Sequence, residues 1–241
     1  MPRFYIAHPL AAGQLVDLPP AVAHHVNVVR LEPGAAITLF NGEGGEYPAV
    51  LRDVGKKRAT AELQAFDPRE AELPFPVTLA QALPEGSKMD WIIEKAVELG
   101  VAAVQPLAAR RCVVRLSAER AEKKLEHWHG VIEAACEQSG RNRLPRLAPP
   151  LDLRDWLAQP ADGQRILLSP RASMSLAEWT HAQPAQPVTL LVGPEGGFTD
   201  EEEALAVQHG ALALSAGPRV LRTETAALAV LAVLAAAWGG M

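Results

Sequence analysis

The hydrophobic period of the chain changes at Leu73-Pro74-Phe75-Pro76, and that change restricts the fold more than any other feature. Upstream, the apolar or alternating runs are brief, at residues 4–6, 36–40, 47–51 and 59–63. Turn-forming residues separate them: Pro33-Gly34, Asn41-Gly42, Gly44-Gly45 and Gly55. Short strands at that spacing predict a small barrel, with one helical stretch at 21–30 and a hairpin at Asn41-Gly42. Downstream, apolar runs at 77–82, 101–107, 165–169, 188–192 and 211–214 alternate with helical spacing at 89–99, 117–139 and 200–209, and a last helix begins near Thr225. That alternation predicts a mainly parallel sheet covered on both faces. Neither a helix nor a central strand runs easily through the join, because proline donates no backbone hydrogen bond and restricts the residue before it. The expectation is two domains, a small all-β one at 1–72 and an α/β one at 73–241.

The 241 residues are 49% apolar, enough for a core of ordinary size. Charged residues make up 21% with a net charge of −5, so bulk attraction to nucleic acid is not the leading expectation and any polyanion must meet a local patch. Residues 88–146 offer one, with 11 basic against 8 acidic side chains, whereas 147–241 hold 5 against 10. Arg110-Arg111, Arg115, Arg141, Arg143 and Arg146 are its densest points. Cys112 and Cys136 form no CxxC pair, which argues against a disulfide framework or a zinc site and for a reducing cytoplasm. No signal peptide is visible at the start. The apolar run at 226–238 is Ala-rich and shorter than the roughly 20 residues of a spanning helix. It reads as a buried helix, or as a flat face for a second copy with Trp238 at its edge.

Two segments have the pattern of a ligand site. In Leu190-Leu191-Val192-Gly193-Pro194-Glu195-Gly196-Gly197-Phe198-Thr199-Asp200, an apolar strand runs into a Gly-rich turn and Thr199 can cap the helix that follows. Ligands of open α/β sheets bind at the carboxyl ends of strands, where glycines let them approach the backbone. The same local pattern also suits a plain strand-to-helix turn. It is no Walker loop, since the Gly-Lys-Ser/Thr ending is absent. The second segment, Ala216-Gly217-Pro218-Arg219-Val220-Leu221-Arg222-Thr223-Glu224-Thr225-Ala226, again joins a strand to a helix, and its plain reading is a cap by Thr223 or Thr225. His24-His25 and His127-x-His129 lack partners at metal-ligand spacing, so no metal is expected. Ser169 and Ser215 sit in no nucleophile elbow.

Taken together, the two segments resemble the bacterial small-subunit (16S) ribosomal RNA uridine-N3 methyltransferase family, of the SPOUT class. Lys95-Ala96-Val97-Glu98-Leu99-Gly100-Val101 is similar to that family's Lys-Ala-Thr-Glu-Leu-Gly-Val segment, and Glu133 to Pro145 to its Glu-Gln…Arg…Pro stretch. His24-His25 to Arg30 and Phe40-Asn41-Gly42 resemble its first domain, so the likeness covers nearly the whole chain. Val97 stands where Thr is usual and Ala216 where Leu is usual. Both are changes on the scaffold.

The resemblance implies a PUA-like β-barrel followed by a trefoil-knotted α/β domain, S-adenosylmethionine as cofactor, a homodimer, and small-subunit ribosomal RNA, within an assembled or nearly assembled subunit, as partner. The knot is nowhere legible in the period itself. Cofactor contacts fall on Leu168, Ser169, Gly193, Glu195, Gly196, Gly197, Leu214, Gly217 and Leu221. Catalysis is expected from Arg222, which would stabilise charge on the uracil carbonyls, and from Glu224, which would accept the N3 proton or fix Arg222. Phosphate contacts are expected from Arg3, Arg30, Arg110, Arg111, Arg115, Arg141 and Arg143. Three other readings stay open on residues alone: a SPOUT enzyme for another RNA or a ribose hydroxyl, a non-catalytic RNA-binding module, and a nucleotide-binding protein.

Overall fold

In the computed structural model, which describes residues 1–241, the chain divides after Glu72, and residues Cys136–Leu144 are grouped with the N-terminal unit. This unit holds β1 (Arg3–Tyr5), β2 (Leu15–Asp17), α1 (Pro20–Val28), β3 (Ala36–Phe40), β4 (Tyr47–Val54) and β5 (Ala59–Leu63). The sheet order is β1-β3-β4-β5-β2, with β1 parallel to β3 and the other pairs antiparallel. Alternate side chains of these strands meet in one core around Phe4, Ile6, Ile37, Leu39, Leu51, Ala61 and Leu63. β2 escaped the sequence reading because only Val16 of its three residues is buried.

The Asn41-Gly42 hairpin is longer than a two-residue turn. Residues 41–46 form a loop because segment 136–144 pairs with it: Leu144 N donates to Gly42 O at 3.3 Å and Gly44 N to Asn142 O at 3.2 Å. A partly buried polar network lies beside this loop. Glu46 accepts from Arg3 at 2.5 Å and from Arg69 at 3.2 Å, Arg3 also donates to Asn142 Oδ1 at 2.5 Å, and Asn142 Nδ2 donates to Arg69 O at 2.7 Å.

The second unit comprises residues 73–135 and 145–241. Its elements are β6 (Val77–Ala82), α2 (Lys88–Glu98), β7 (Ala103–Ala108), α3 (Ala118–Ser139, of which 136–139 are grouped with the first unit), β8 (Arg146–Leu147), β9 (Leu151–Asp152), α4 (Leu153–Leu157), β10 (Gln164–Leu168), α5 (Leu176–Ala182), β11 (Val188–Val192), α6 (Asp200–Gln208), β12 (Leu212–Leu214) and α7 (Thr223–Trp238). The sheet order is β12-β10-β11-β6-β7-β8 with every pair parallel, and β9 adds to β7. All five residues of β11 are buried, as a strand covered on both faces requires. Gly100 ends α2 at φ +87°, with its N–H bonded to Val97 O at 3.0 Å. α4 and α5 are too short to show a helical period. Side-chain caps start them: Asp152 accepts from Arg154 N, and Ser175 forms a capping box with Glu178.

From β12 at the sheet edge the chain returns to the middle, where α7 packs on β6 and β11 and against α2 and α5. Ala227, Val230, Leu231 and Leu234 form its buried face. Trp238 is not a free edge for a second copy: its indole donates to Thr180 O at 3.1 Å, and its ring packs on Phe75 and Trp179. No helix is long and apolar enough to cross a membrane.

Candidate active site

Because β6, β10, β11 and β12 run parallel, the loops that leave their carboxyl ends share one end of the sheet. A cavity of about 400 Å3 lies there. Leu168 and Ser169 border it after β10, Gly193, Glu195, Gly197 and Phe198 after β11, and residues 216–217 and 219–224 after β12, with Lys88 and Glu203 at its sides.

The 193–197 loop is shaped from both ends. Downstream, Thr199 caps α6 in a full capping box with Glu202. Glu202 in turn accepts from Arg110 N at 2.7 Å. Arg111 donates to Gly196 O at 2.7 Å and to Phe198 O at 3.2 Å. At the upstream end the loop folds back on itself, so that a Cβ on Gly193 would lie 3.0 Å from both Gly197 Cα and Phe198 N. Glycine is needed there for close approach within the loop itself, not for a ligand alone.

The start of α7 is tied to the same loop. Thr223 Oγ1 donates to Gly193 O at 2.6 Å and accepts from Gln81 Nε2 at 2.9 Å. Thr223 is therefore not the cap. Arg222 occupies the N-cap position, with extended backbone (φ −64°, ψ 153°) and no side-chain cap. That extended residue lets Arg222 and Glu224 converge despite their spacing, to 4.0 Å between Nη1 and Oε1. The Arg222 side chain is 84% exposed and that of Glu224 only 17%, and Glu224 Oε2 is buried with no hydrogen-bond partner.

Of the other charges around the cavity, Arg219 is exposed without an ion partner, and the rest are paired. Glu195 accepts from Lys88 Nζ and from Glu85 N. Burial pushes the Glu195 carboxyl up, but Lys88 and the backbone N–H groups outweigh that and hold it below the usual range. Ser169 Oγ donates to Glu203 at 3.2 Å, and Arg171 bridges Glu203 and Asp200.

Of the expected cofactor contacts, Leu168, Ser169, Gly193, Glu195, Gly197, Gly217 and Leu221 line the cavity, as do Arg222 and Glu224. Leu214 does not: it is fully buried in β12, facing the core. Gly196 lies outside the lining, with its carbonyl held by Arg111. Lys88, Phe198, Glu203, Arg219 and Val220 line the cavity without having been singled out. Arg219 and Val220 sit inside a segment already marked. Lys88 and Glu203 gave no local signal, because only the parallel sheet brings their helices to this end.

The expected phosphate contacts divide in two. Arg30, Arg110, Arg115 and Arg143 are exposed, Arg110 and Arg143 in outer ion pairs with Glu201 and Glu70. Three arginines have other tasks. Arg141 is 2% exposed and grips Glu72 through two guanidinium nitrogens. Arg3 is held by Glu46 and Asn142 in the network described above, and Arg111 holds the 193–197 loop. The guanidinium groups of Arg3 and Arg141 are committed to carboxylates and are not free for phosphate, whereas Arg111 is exposed and uses Nη1 for both of its loop bonds.

Residues 71–235 match the family model of an RNA methyltransferase domain, and residues 18–64 that of an RNA methyltransferase PUA domain. The ribosomal RNA small subunit methyltransferase E of Bacillus subtilis is 34% identical over 220 residues, covering 88% of this chain and 86% of that protein. Its namesake from Synechocystis is 37% identical over 238 residues, covering 95% and 76%. Among solved structures, the small subunit methyltransferase E of Neisseria gonorrhoeae, bound to S-adenosyl methionine, is 40% identical and superposes with a TM-score of 0.92 over 99% of this chain and 98% of that one.

Proposed function

This chain belongs to the ribosomal RNA small subunit methyltransferase E family, and from that premise we propose that it transfers a methyl group from S-adenosylmethionine to N3 of one uridine in 16S ribosomal RNA. The observation that carries the reading is the single cavity in which both family-like loops, 193–197 and 216–224, meet.

The cavity suits the cofactor on its own terms. Its volume falls within the usual range for small-molecule sites, and Leu168, Val192, Phe198 and Leu221 offer apolar walls. Bound there, S-adenosylmethionine would supply an electrophilic methyl group on a sulfonium. The chain's own work is to hold the acceptor in line and manage the N3 proton. Arg222 sits at the mouth, where its guanidinium can meet a uracil carbonyl and stabilise the anion left when N3 loses its proton. Glu224 has two faces for two tasks: Oε1 toward Arg222 to orient it, and Oε2 free to accept from N3–H. Since N3 is masked in a base pair, the target uridine must be unpaired or extruded.

We assign RNA phosphate contacts to Arg30, Arg110, Arg115 and Arg143, the N-terminal unit to RNA binding, and residues 73–241 to methyl transfer. The enzyme acts in the cytoplasm, as a homodimer, on small-subunit RNA within an assembled or nearly assembled particle. The dimer reading rests on α2 and α7, which pack together and leave Trp91 and Val233 exposed. Sedimentation at the mass of one chain would refute it.

The decisive experiment supplies tritiated S-adenosylmethionine with small-subunit particles, or their free RNA, from a strain that lacks the gene. Label should enter small-subunit RNA, at N3 of one uridine by nucleoside analysis. Label on a ribose hydroxyl, or none at all in either substrate, would overturn the reading.

A further inference from the structure

A second concavity, of about 770 Å3, lies between the 109–117 loop after β7 and the first half of α3. Val113, Val114, Arg115 and Leu116 form its loop wall, and Arg120, Lys123, Lys124 and His127 its helix wall. The helical four stand at i, i+3, i+4 and i+7, so they share one face and form a stripe about 10 Å long at ~1.5 Å per residue. Charge along the stripe is not cancelled. Glu119 pairs with Lys123 at 2.7 Å, and Asp90 holds His127 at 2.9 Å. Arg115, Arg120 and Lys124 have no carboxylate partner, and Lys124 only overlies the Trp128 ring at 5.8 Å. On the opposite wall Val113 is 69% exposed, an aliphatic side chain with nothing packed on it.

We propose that this groove binds a single-stranded stretch of the RNA substrate beside the target base, an inference that rests on the methyltransferase reading above. Phosphates lie along Arg120 and Lys124, and base faces lie against Val113, Val114 and Leu116. Unpaired cations along the helix, facing a loop wall that is apolar apart from Arg115, match the two sides of an unpaired strand, which presents anions along its backbone and flat base faces opposite. A second copy docked groove to groove would set like charges against each other. The location is apt for substrate: the loop that walls the groove also carries Arg111, which holds Gly196 O of the cofactor-cavity loop.

The test measures fluorescence anisotropy of a short labelled oligouridine RNA over a salt series, together with methylation of small-subunit particles. The double variant Arg120→Gln/Lys124→Gln should bind the RNA about tenfold more weakly. Its slope of log affinity against log salt should flatten by about 1.4, at ~0.7 per lost phosphate contact on a single strand. Val113→Asp should weaken binding as well, and both variants should bind S-adenosylmethionine in calorimetry and sediment as the wild type does. If the wild type methylates the particles and the double variant keeps its RNA affinity, salt slope and KM for particles, the groove assignment falls alone. If RNA binding drops only together with a change in sedimentation, the groove is an interface between copies and the assignment is wrong. A wild type that binds S-adenosylmethionine but neither binds nor methylates RNA overturns the methyltransferase reading, and this inference with it.

Discussion

Thr223→Val replaces one hydroxyl by a methyl of nearly equal size and thereby tests whether the last helix is fastened to the cofactor loop. The native hydroxyl donates to Gly193 O at 2.6 Å and accepts from Gln81 Nε2 at 2.9 Å, and Thr223 is 6% exposed. In the variant Gly193 O loses this donor. Gln81 Nε2 keeps its bond to Ala82 O at 2.9 Å, so its loss is partial, although Gln81 Oε1 is already buried without a partner. Leaving a buried polar group unsatisfied costs about 1–3 kcal/mol, so one full and one partial loss come to about 2 kcal/mol. For a chain of 241 residues that lowers Tm by about 4–8 °C. Thermal denaturation followed by circular dichroism reads this directly, and Thr223→Ser, which retains the hydroxyl, should recover most of it. S-adenosylmethionine affinity, measured by calorimetry, should fall in Thr223→Val, because Gly193 belongs to the cavity wall. A valine variant that melts and binds like the wild type would show that the hydroxyl bridge fastens nothing.

Gly193→Val should abolish cofactor binding while leaving a folded protein with intact far-UV circular dichroism, since its Cβ would meet loop backbone at 3.0 Å; unchanged affinity would exclude the loop from the pocket. Arg222→Ala should cut the methylation rate far more than cofactor affinity. Glu224→Gln should retain more activity than Glu224→Ala if orientation of Arg222 is its main task, whereas equal and near-total loss would make the carboxylate the base. The fourth prediction concerns pH. Burial pushes the Glu46 carboxyl up, but Arg3, Asn142 and Arg69 outweigh burial and hold it below its ordinary value of 4.5. A carboxylate depressed in the folded state contributes stability above 4.5 that is lost as pH falls through its folded value. Denaturant melts of the wild type should therefore weaken on acidification below about 4.5, and Glu46→Gln, less stable at neutral pH, should lose that part of the pH dependence. Parallel curves for the two proteins would remove Glu46 from the account.

By itself the sequence determined what nearest neighbours along the chain decide. The strands at 36–40, 59–63, 77–82 and 188–192 stand where alternation or an apolar run placed them, Gly100 stops α2, and Thr199 caps α6 through Glu202 three residues on. These are local effects: side-chain period, a left-handed glycine and a cap act within one or two turns. The two Gly-containing loops were also legible, because turn chemistry at strand ends is written in consecutive residues, whereas cofactor and RNA entered only through the resemblance of those loops to a family. Tertiary structure decided the partners. Whether an arginine faces phosphate or a carboxylate depends on residues far along the chain: Arg141 meets Glu72, Arg3 meets Glu46, and Arg111 meets Gly196 O. The Thr223 hydroxyl looked like a cap and instead joins β6 to the loop after β11, because the return of α7 to the middle of the sheet places it between Gln81 and Gly193. Lys88 and Glu203 reach the cavity for the same reason. A parallel sheet gathers the carboxyl ends of strands distant in sequence at one edge, and no local period records which side chains will meet there.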